Sequence, residues 1–125
     1  MQLMVVGAGY VGLVSGTCFA ELGFRVICVD IDANKIAMLN RAEPPIYEPE
    51  LPALLQRNLA AGRIKFSTDL TEHTGQVDLI LLAIGTPNLP NSNQVDLSAM
   101  LAAVQSIAPH LNKYTPGWSG SLDNN

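Results

Sequence analysis

Three glycines near the amino terminus have the spacing of a phosphate-binding loop. They belong to a GxGxxG motif, Gly7-Ala8-Gly9-Tyr10-Val11-Gly12. The motif lies between a predicted strand (residues 3–6) and a predicted helix (residues 10–22), and this is the context in which it binds dinucleotides. There Gly7 permits a tight turn, Gly9 lets a pyrophosphate approach the backbone, and Gly12 lets the helix pack closely on the strand. A glycine-rich turn without a ligand is the alternative, and the strand-loop-helix context disfavours it.

An acidic residue follows the motif at the distance expected for a ribose contact, about 20 residues further on. Asp30 ends a second predicted strand, residues 26–29. Its carboxylate can accept hydrogen bonds from ribose hydroxyls, and it repels a 2′-phosphate by roughly 1 to 4 kcal/mol at contact range. No arginine follows directly, so NAD is favoured over NADP. Asp30 could instead cap the next helix, but Asp32 fits that role better. Lys35 is either a cofactor contact near the adenosine or a solvated surface lysine.

The most apolar segment of the chain, residues 77–84, predicts a central parallel strand. It ends at Gly85-Thr86-Pro87. Because ligands of doubly wound sheets lie outside the carboxyl ends of the strands, Thr86 is a candidate contact for the nicotinamide side of the cofactor. An ordinary strand-ending turn is the alternative.

Strands that alternate with helical segments predict an α/β fold, a Rossmann-type parallel sheet with right-handed crossovers and strand order 3-2-1-4. We expect this domain to occupy residues 1–114 and an irregular tail to follow at 115–125. Helical spacing predicts an inward stripe on the first helix formed by Val11, Val14, Cys18 and Leu22. For the last helix it predicts a cap at Asp96 and an inward stripe of Leu97, Met100, Leu101, Val104, Ile107 and Ala108.

Composition excludes several classes of function. A hydrophobic content of 48% supports a packed core, and a net charge of −4 argues against a nucleic-acid-binding surface. Cys18 and Cys28 are expected to be buried, without a disulfide framework or a metal site. We find neither a signal peptide nor an apolar run of membrane-spanning length, so we expect a cytoplasmic protein that contacts no membrane.

The order of several motifs resembles that of the UDP-glucose/GDP-mannose dehydrogenase family across roughly residues 1–113. The matching segments are Gly7-Ala8-Gly9-Tyr10-Val11-Gly12-Leu13-Val14, Cys28-Val29-Asp30-Ile31-Asp32, Lys35-Ile36, Pro45-Ile46-Tyr47-Glu48-Pro49, Gly62-Arg63, Thr68-Asp69-Leu70 and Gly85-Thr86-Pro87. Residues 46–49 are most similar to the UDP-glucose branch. The resemblance implies oxidation of a sugar C6 alcohol to a carboxylate by two NAD+, with a thioester on a cysteine of a later domain, and a homo-oligomeric full-length enzyme.

The resemblance also implies cofactor contacts by the glycine loop with Tyr10 and Val11, by Asp30 and Lys35, and by Thr86. The chain departs from the family at Glu50, where glycine is usual, in the loop 88–94, and after Tyr114. We therefore expect the amino-terminal part of a UDP-glucose-oxidising enzyme that is inactive by itself and exposes an aggregation-prone strand at 77–84. A stand-alone NAD-binding or regulatory module, or a subunit completed by another chain, is the alternative, and it too would lack dehydrogenase activity by itself.

Overall fold

A four-stranded parallel sheet forms the centre of the computed structural model, which describes residues 1–111. The strands are β1 (Gln2–Val6), β2 (Arg25–Val29), β3 (Ile64–Ser67) and β4 (Leu79–Leu82). Their spatial order is β3-β2-β1-β4, which confirms the predicted Rossmann-type α/β sheet and its 3-2-1-4 order. The last residues of the predicted domain and the predicted irregular tail at 115–125 lie outside the described residues.

Four helices connect and cover the strands: α1 (Tyr10–Glu21), α2 (Ala33–Asn40), α3 (Leu51–Ala60) and α4 (Ser98–Ile107). Gly23 follows α1 with a φ of +106°, as a helix-ending glycine should. Asp32 caps α2 by accepting the Lys35 N–H at 3.1 Å, which confirms its predicted role. Pro52 lies in the first turn of α3, whereas Pro49 precedes the helix. Among residues 1–111 no helix is both long and apolar enough to cross a bilayer.

The two faces of the sheet bury separate apolar clusters, as expected when helices cover both sides of parallel strands. Val5 of β1 belongs to the cluster beneath α1 and α3, whereas Met4 and Val6 point to the other side, which α4 covers. Each fully buried aliphatic side chain of this kind stabilises the fold by about 1.5–3 kcal/mol. This packing fixes the carboxyl ends of β1, β2 and β4 at one edge of the sheet.

The inward face of α1 differs from the prediction. Leu13, Gly16, Thr17 and Ala20 are buried together with Gly12. Val11 and Leu22 are 66% and 74% exposed, and Cys18 is exposed as well, whereas Cys28 is buried as predicted. The helix approaches the strands most closely at Gly12, where an added Cβ would overlap the Gly7 carbonyl oxygen, whereas a Cβ at Gly16 would make ordinary contacts with Val26 and Val5. The buried face of α1 therefore combines small residues with Leu13, and the predicted stripe lies on another side of the helix.

The carboxyl-terminal part of the described chain also differs from the prediction. Within residues 1–111 β4 is an edge strand, as the predicted order 3-2-1-4 requires, and the difference lies in α4. On α4 only Ala103 and Ile107 are buried. Leu97, which is the N-cap of α4, Leu101 and Val104 are exposed, and so is Leu79 of β4. We call Leu97, Leu101 and Val104 the exposed α4 face. Leu79 alternates with Ile80 and Leu82, which pack on the α4 side, and so it points to the opposite side of the sheet. Asp96 precedes the N-cap, and its carboxylate accepts the Ser98 N–H at 2.9 Å.

Candidate nucleotide-binding cleft

A cleft with a volume of about 430 Å³ opens at the carboxyl ends of β1, β2 and β4. It lies where the strand order reverses between β1 and β4, the position at which doubly wound sheets bind ligands. Four of the predicted site residues line it: Gly7, Gly9, Asp30 and Lys35. Its wall is mostly apolar, as is usual for small-molecule sites.

Two glycines of the motif are required by the protein's own packing. Gly7 has a φ of +106° and donates its N–H to the Val29 carbonyl at 2.7 Å. A Cβ at Gly7 would lie 2.5 Å from the Ala83 carbonyl oxygen, and a Cβ at Gly12 would overlap the Gly7 carbonyl oxygen. Both residues therefore let the loop and α1 lie close to the strands. Gly12 does not line the cleft, and its role in this structure is to support the loop.

Gly9 differs from these two glycines because nothing in the protein requires it. Its φ is −75°, which any residue can adopt, and no atom lies within 4 Å of a Cβ placed there. The space in front of Gly9 is open, and α1 begins at the next residue. The first-turn N–H groups of a helix lack partners within that helix and carry partial positive charge. The loop therefore fits a dinucleotide pyrophosphate.

Asp30 is held at the floor of the cleft by backbone donors. Its carboxylate accepts the N–H of Ala8 at 2.8 Å and the N–H of Asp32 at 2.9 Å, and only 14% of the side chain is exposed. Partial burial acts to raise the pKa of Asp30, but these two hydrogen bonds and the Lys35 charge outweigh it and hold that pKa below its usual value. Asp30 is therefore ionised at neutral pH and oriented before any ribose binds.

Lys35 extends from the first turn of α2 to this carboxylate. Its ammonium lies 3.6 Å from Asp30 Oδ2, and 28% of the side chain is exposed. Of the two readings of Lys35 from the sequence, the structure places it on the cleft wall and not on an open surface. In the part of the cleft that the structure describes, Asp30 and Lys35 are the charged lining residues.

The remaining predicted contacts lie around the rim of the cleft and not in its wall. Tyr10 is 56% exposed and donates its hydroxyl to the Glu48 carboxylate at 3.2 Å. This hydrogen bond, together with the Glu48 charge, raises the pKa of Tyr10. Val11 is on the outer side of α1, and Thr86 is an exposed residue directly after the lining residue Gly85. Contacts from Tyr10, Val11 and Thr86 to a cofactor stay predictions.

Sequence reasoning missed one wall of the cleft. This wall consists of small residues on α4, together with Ile31 and Leu70. The α4 residues are Ala99, Ala102, Ala103 and Ser106. Ile31, which follows Asp30, is 91% exposed. An apolar wall of this kind fits a nucleobase. The small residues of α4 have helical spacing in the sequence, but the leucines and other large apolar residues of the same helix gave a stronger pattern.

The chain matches the model of the UDP-glucose/GDP-mannose dehydrogenase family, NAD binding domain, over residues 1–116. It is 44% identical to UDP-glucose 6-dehydrogenase of Rhizobium meliloti over 115 residues, which are 92% of this chain and 26% of the relative. It is also 44% identical to UDP-glucose 6-dehydrogenase TuaD of Bacillus subtilis over 113 residues, covering 90% of this chain and 24% of the relative. The chain thus spans about a quarter of the length of these relatives.

Solved structures show the same likeness. GDP-mannose dehydrogenase from Pseudomonas aeruginosa superposes with a TM-score of 0.82 at 34% identity, over 86% of this chain and 24% of that one. UDP-glucose dehydrogenase from Pyrobaculum islandicum superposes with a TM-score of 0.80 at 37% identity, over 85% and 24% of the two chains.

Proposed function

Because the chain belongs to the UDP-glucose/GDP-mannose dehydrogenase family and comprises its NAD-binding domain, we propose that it is the cofactor-binding part of a UDP-glucose 6-dehydrogenase. The observation that supports NAD most strongly is the Asp30 carboxylate, fixed beside an open glycine loop. The choice of UDP-glucose among the sugar nucleotides of the family rests on the 44% identity to two UDP-glucose 6-dehydrogenases.

Different residues of the cleft bind different parts of the cofactor. The Asp30 carboxylate accepts hydrogen bonds from the adenosine ribose hydroxyls. The first-turn N–H groups of α1 bind the pyrophosphate, which lies in the open space at Gly9. The adenine packs against the apolar wall formed by α4 and Ile31. NAD+ supplies a hydride acceptor when it is bound, and the task of this chain is to hold it in one orientation at the carboxyl edge of the sheet.

In the proposed enzyme the C6 alcohol of UDP-glucose is oxidised to the carboxylate of UDP-glucuronate, and two NAD+ are reduced for each sugar. In the described part of the chain, the charged groups that line the cleft, Asp30 and Lys35, are assigned to cofactor binding. We therefore propose that the 125-residue polypeptide binds NAD but does not oxidise UDP-glucose by itself. Turnover requires the three quarters of the relatives that the chain does not match.

A chimera tests this assignment. Residues 1–113 of this chain replace the matching part of the Rhizobium meliloti relative, and NADH formation is followed with UDP-glucose as the substrate. We expect no NADH from the isolated chain and two NADH per UDP-glucose from the chimera. The same chimera carrying Asp30→Ala is the control, and it should lose activity at low NAD+ concentration. A folded, NAD-binding chimera that does not oxidise UDP-glucose contradicts the proposal that this chain is the cofactor-binding part of a UDP-glucose 6-dehydrogenase.

A further inference from the structure

One polar side chain lies by itself in the apolar wall of the cleft. The polar side chains that line the described part of the cleft are Asp30, Lys35 and Ser106, and the first two contact each other at 3.6 Å. Ser106 lies on α4, in the wall to which the adenine is assigned. We propose that the Ser106 hydroxyl selects the purine base and favours one that carries an amino group at position 6. This inference rests on the proposed binding of NAD in the same cleft and deepens it by assigning the choice of base to one residue.

The helical spacing of α4 places Ser106 on the face that lines the cleft. Ala99, Ala102, Ala103 and Ser106 occupy positions i, i+3, i+4 and i+7, so their side chains share one side of the helix. The alanines contribute methyl groups, which contact any purine ring in the same way. An apolar surface cannot strongly reject a base of the same shape. Discrimination between purines on this wall therefore depends on its hydroxyl.

The Ser106 hydroxyl is oriented by its own helix. It donates its hydrogen to the Ala102 carbonyl oxygen, one turn earlier, with 3.0 Å between the two oxygens. A serine hydroxyl has one donor and two acceptor positions, and this bond uses the donor. The acceptor positions of Ser106 Oγ receive no hydrogen bond from residues 1–111. Ser106 therefore presents a hydrogen-bond acceptor to the cleft.

An acceptor on this wall distinguishes adenine from hypoxanthine, which differ at position 6 of the same ring system. The amino group of adenine can donate to Ser106 Oγ, whereas the carbonyl group of hypoxanthine brings a second acceptor towards it. To bind that carbonyl, Ser106 has to turn its hydrogen away from Ala102 and lose the bond within α4. One neutral hydrogen bond of this kind changes an affinity by about three- to tenfold, and we expect a preference for adenine of that size.

Ser106 can be replaced without a loss of packing. The residue is exposed, and the buried residues of the same helix are Ala103 and Ile107. Alanine has a higher helix propensity than serine, so Ser106→Ala should fold at least as well as the native chain. A change in base preference in this variant can therefore be attributed to the hydroxyl, and circular dichroism establishes that the helix content is unchanged.

Titration calorimetry of the 125-residue chain with NAD+ and with nicotinamide hypoxanthine dinucleotide measures the preference. We expect the native chain to bind NAD+ about three- to tenfold more tightly, and Ser106→Ala to bind the two dinucleotides within about 1.5-fold of each other. Ser106→Thr keeps a hydroxyl that can donate to the carbonyl one turn earlier, and it should keep the preference. Gln105→Ala, at an exposed α4 residue that does not line the cleft, is the matched control and should keep it as well.

The outcomes separate this inference from the proposed function. A native chain that binds neither dinucleotide contradicts the proposed function itself. If the native chain binds both equally tightly, or if Ser106→Ala keeps the native preference, the role of Ser106 is refuted and NAD binding stands. An equal loss of preference in Gln105→Ala would also refute it, because the effect would then come from a change in α4 and not from the Ser106 hydroxyl.

Discussion

Replacement of Gly9 by alanine should remove NAD binding without unfolding the protein, whereas the same change at Gly12 should destabilise the fold. At Gly9 the backbone φ of −75° suits alanine, and no atom lies within 4 Å of the new Cβ. Reduced freedom of the unfolded chain stabilises such a variant by about 0.4–1 kcal/mol. The weaker preference for alanine at an N-cap offsets this gain by about the same amount.

At Gly12 the added Cβ would overlap the carbonyl oxygen of Gly7 and lie 2.9 Å from its carbonyl carbon. Backbone atoms cannot rotate away as a side chain can, so α1 must shift from the strand. Overpacking of this kind costs about 1–3 kcal/mol. For a domain of this size we expect Gly12→Ala to lower the melting temperature by about 4 to 12 °C and Gly9→Ala to change it by less than about 4 °C.

Thermal unfolding by circular dichroism and NAD+ titration by calorimetry measure the two effects separately. In Gly9→Ala the Cβ fills the space assigned to the pyrophosphate, and we expect NAD affinity to fall by at least about tenfold, which is about 1.4 kcal/mol. Native NAD affinity in Gly9→Ala would refute the assignment of this loop to the pyrophosphate. A melting temperature as low as that of Gly12→Ala would refute the structural distinction between the two glycines.

Three further predictions concern the rest of the molecule. Asn58→Ala should lower the free energy of unfolding, measured in urea, by about 2 kcal/mol. The reason is that the buried Asn58 amide donates to Glu21 and to the Leu54 carbonyl and accepts from Arg63. Gln56→Ala, at an exposed residue of the same helix, is the control and should have little effect. The pKa of Asp30 is lower in the folded protein than in the unfolded chain. Its ionised carboxylate therefore contributes its full stabilisation above the unfolded-state pKa of about 3.9, and this stabilisation is lost as the pH falls through the folded-state pKa. Asp30→Asn should remove that part of the acid dependence in urea titrations, and an unchanged acid limb would contradict it. The exposed α4 face should cause self-association at micromolar concentration. Sedimentation should show that Leu101→Glu decreases this association and that Leu22→Glu, at an exposed leucine that follows α1, does not.

The architecture and the main polar residues of the cleft could be predicted because they depend on local signals. The glycine spacing, Asp30 at the end of a β-branched run and Asp32 before a helix each specify a backbone conformation. Strand order follows from parallel strands joined by right-handed crossovers, and the structure has that order. The placement of Gly7, Gly9, Asp30 and Lys35 on one cleft follows from this topology.

The buried faces of α1 and α4 could not be predicted, because hydrophobicity was a poor guide to them. In α1 the buried face contains Leu13 together with small residues such as Gly16, whereas Val11 and Leu22 remain outside. In α4 the leucines lie on the exposed α4 face, whereas Ala103 and Ile107 are buried and the other small residues line the cleft. The pattern identified an apolar stripe correctly but could not tell which stripe contacts the sheet.

Titration of the native chain with NAD+ and with NADP+ under the same conditions tests the central claim most directly. The arrangement of Asp30 beside the open loop at Gly9 predicts saturable binding of one NAD+ and NADP+ affinity weaker by at least about tenfold. A folded chain that shows no saturable binding of NAD+, or that binds NADP+ as tightly as NAD+, would contradict the account of the cleft given above.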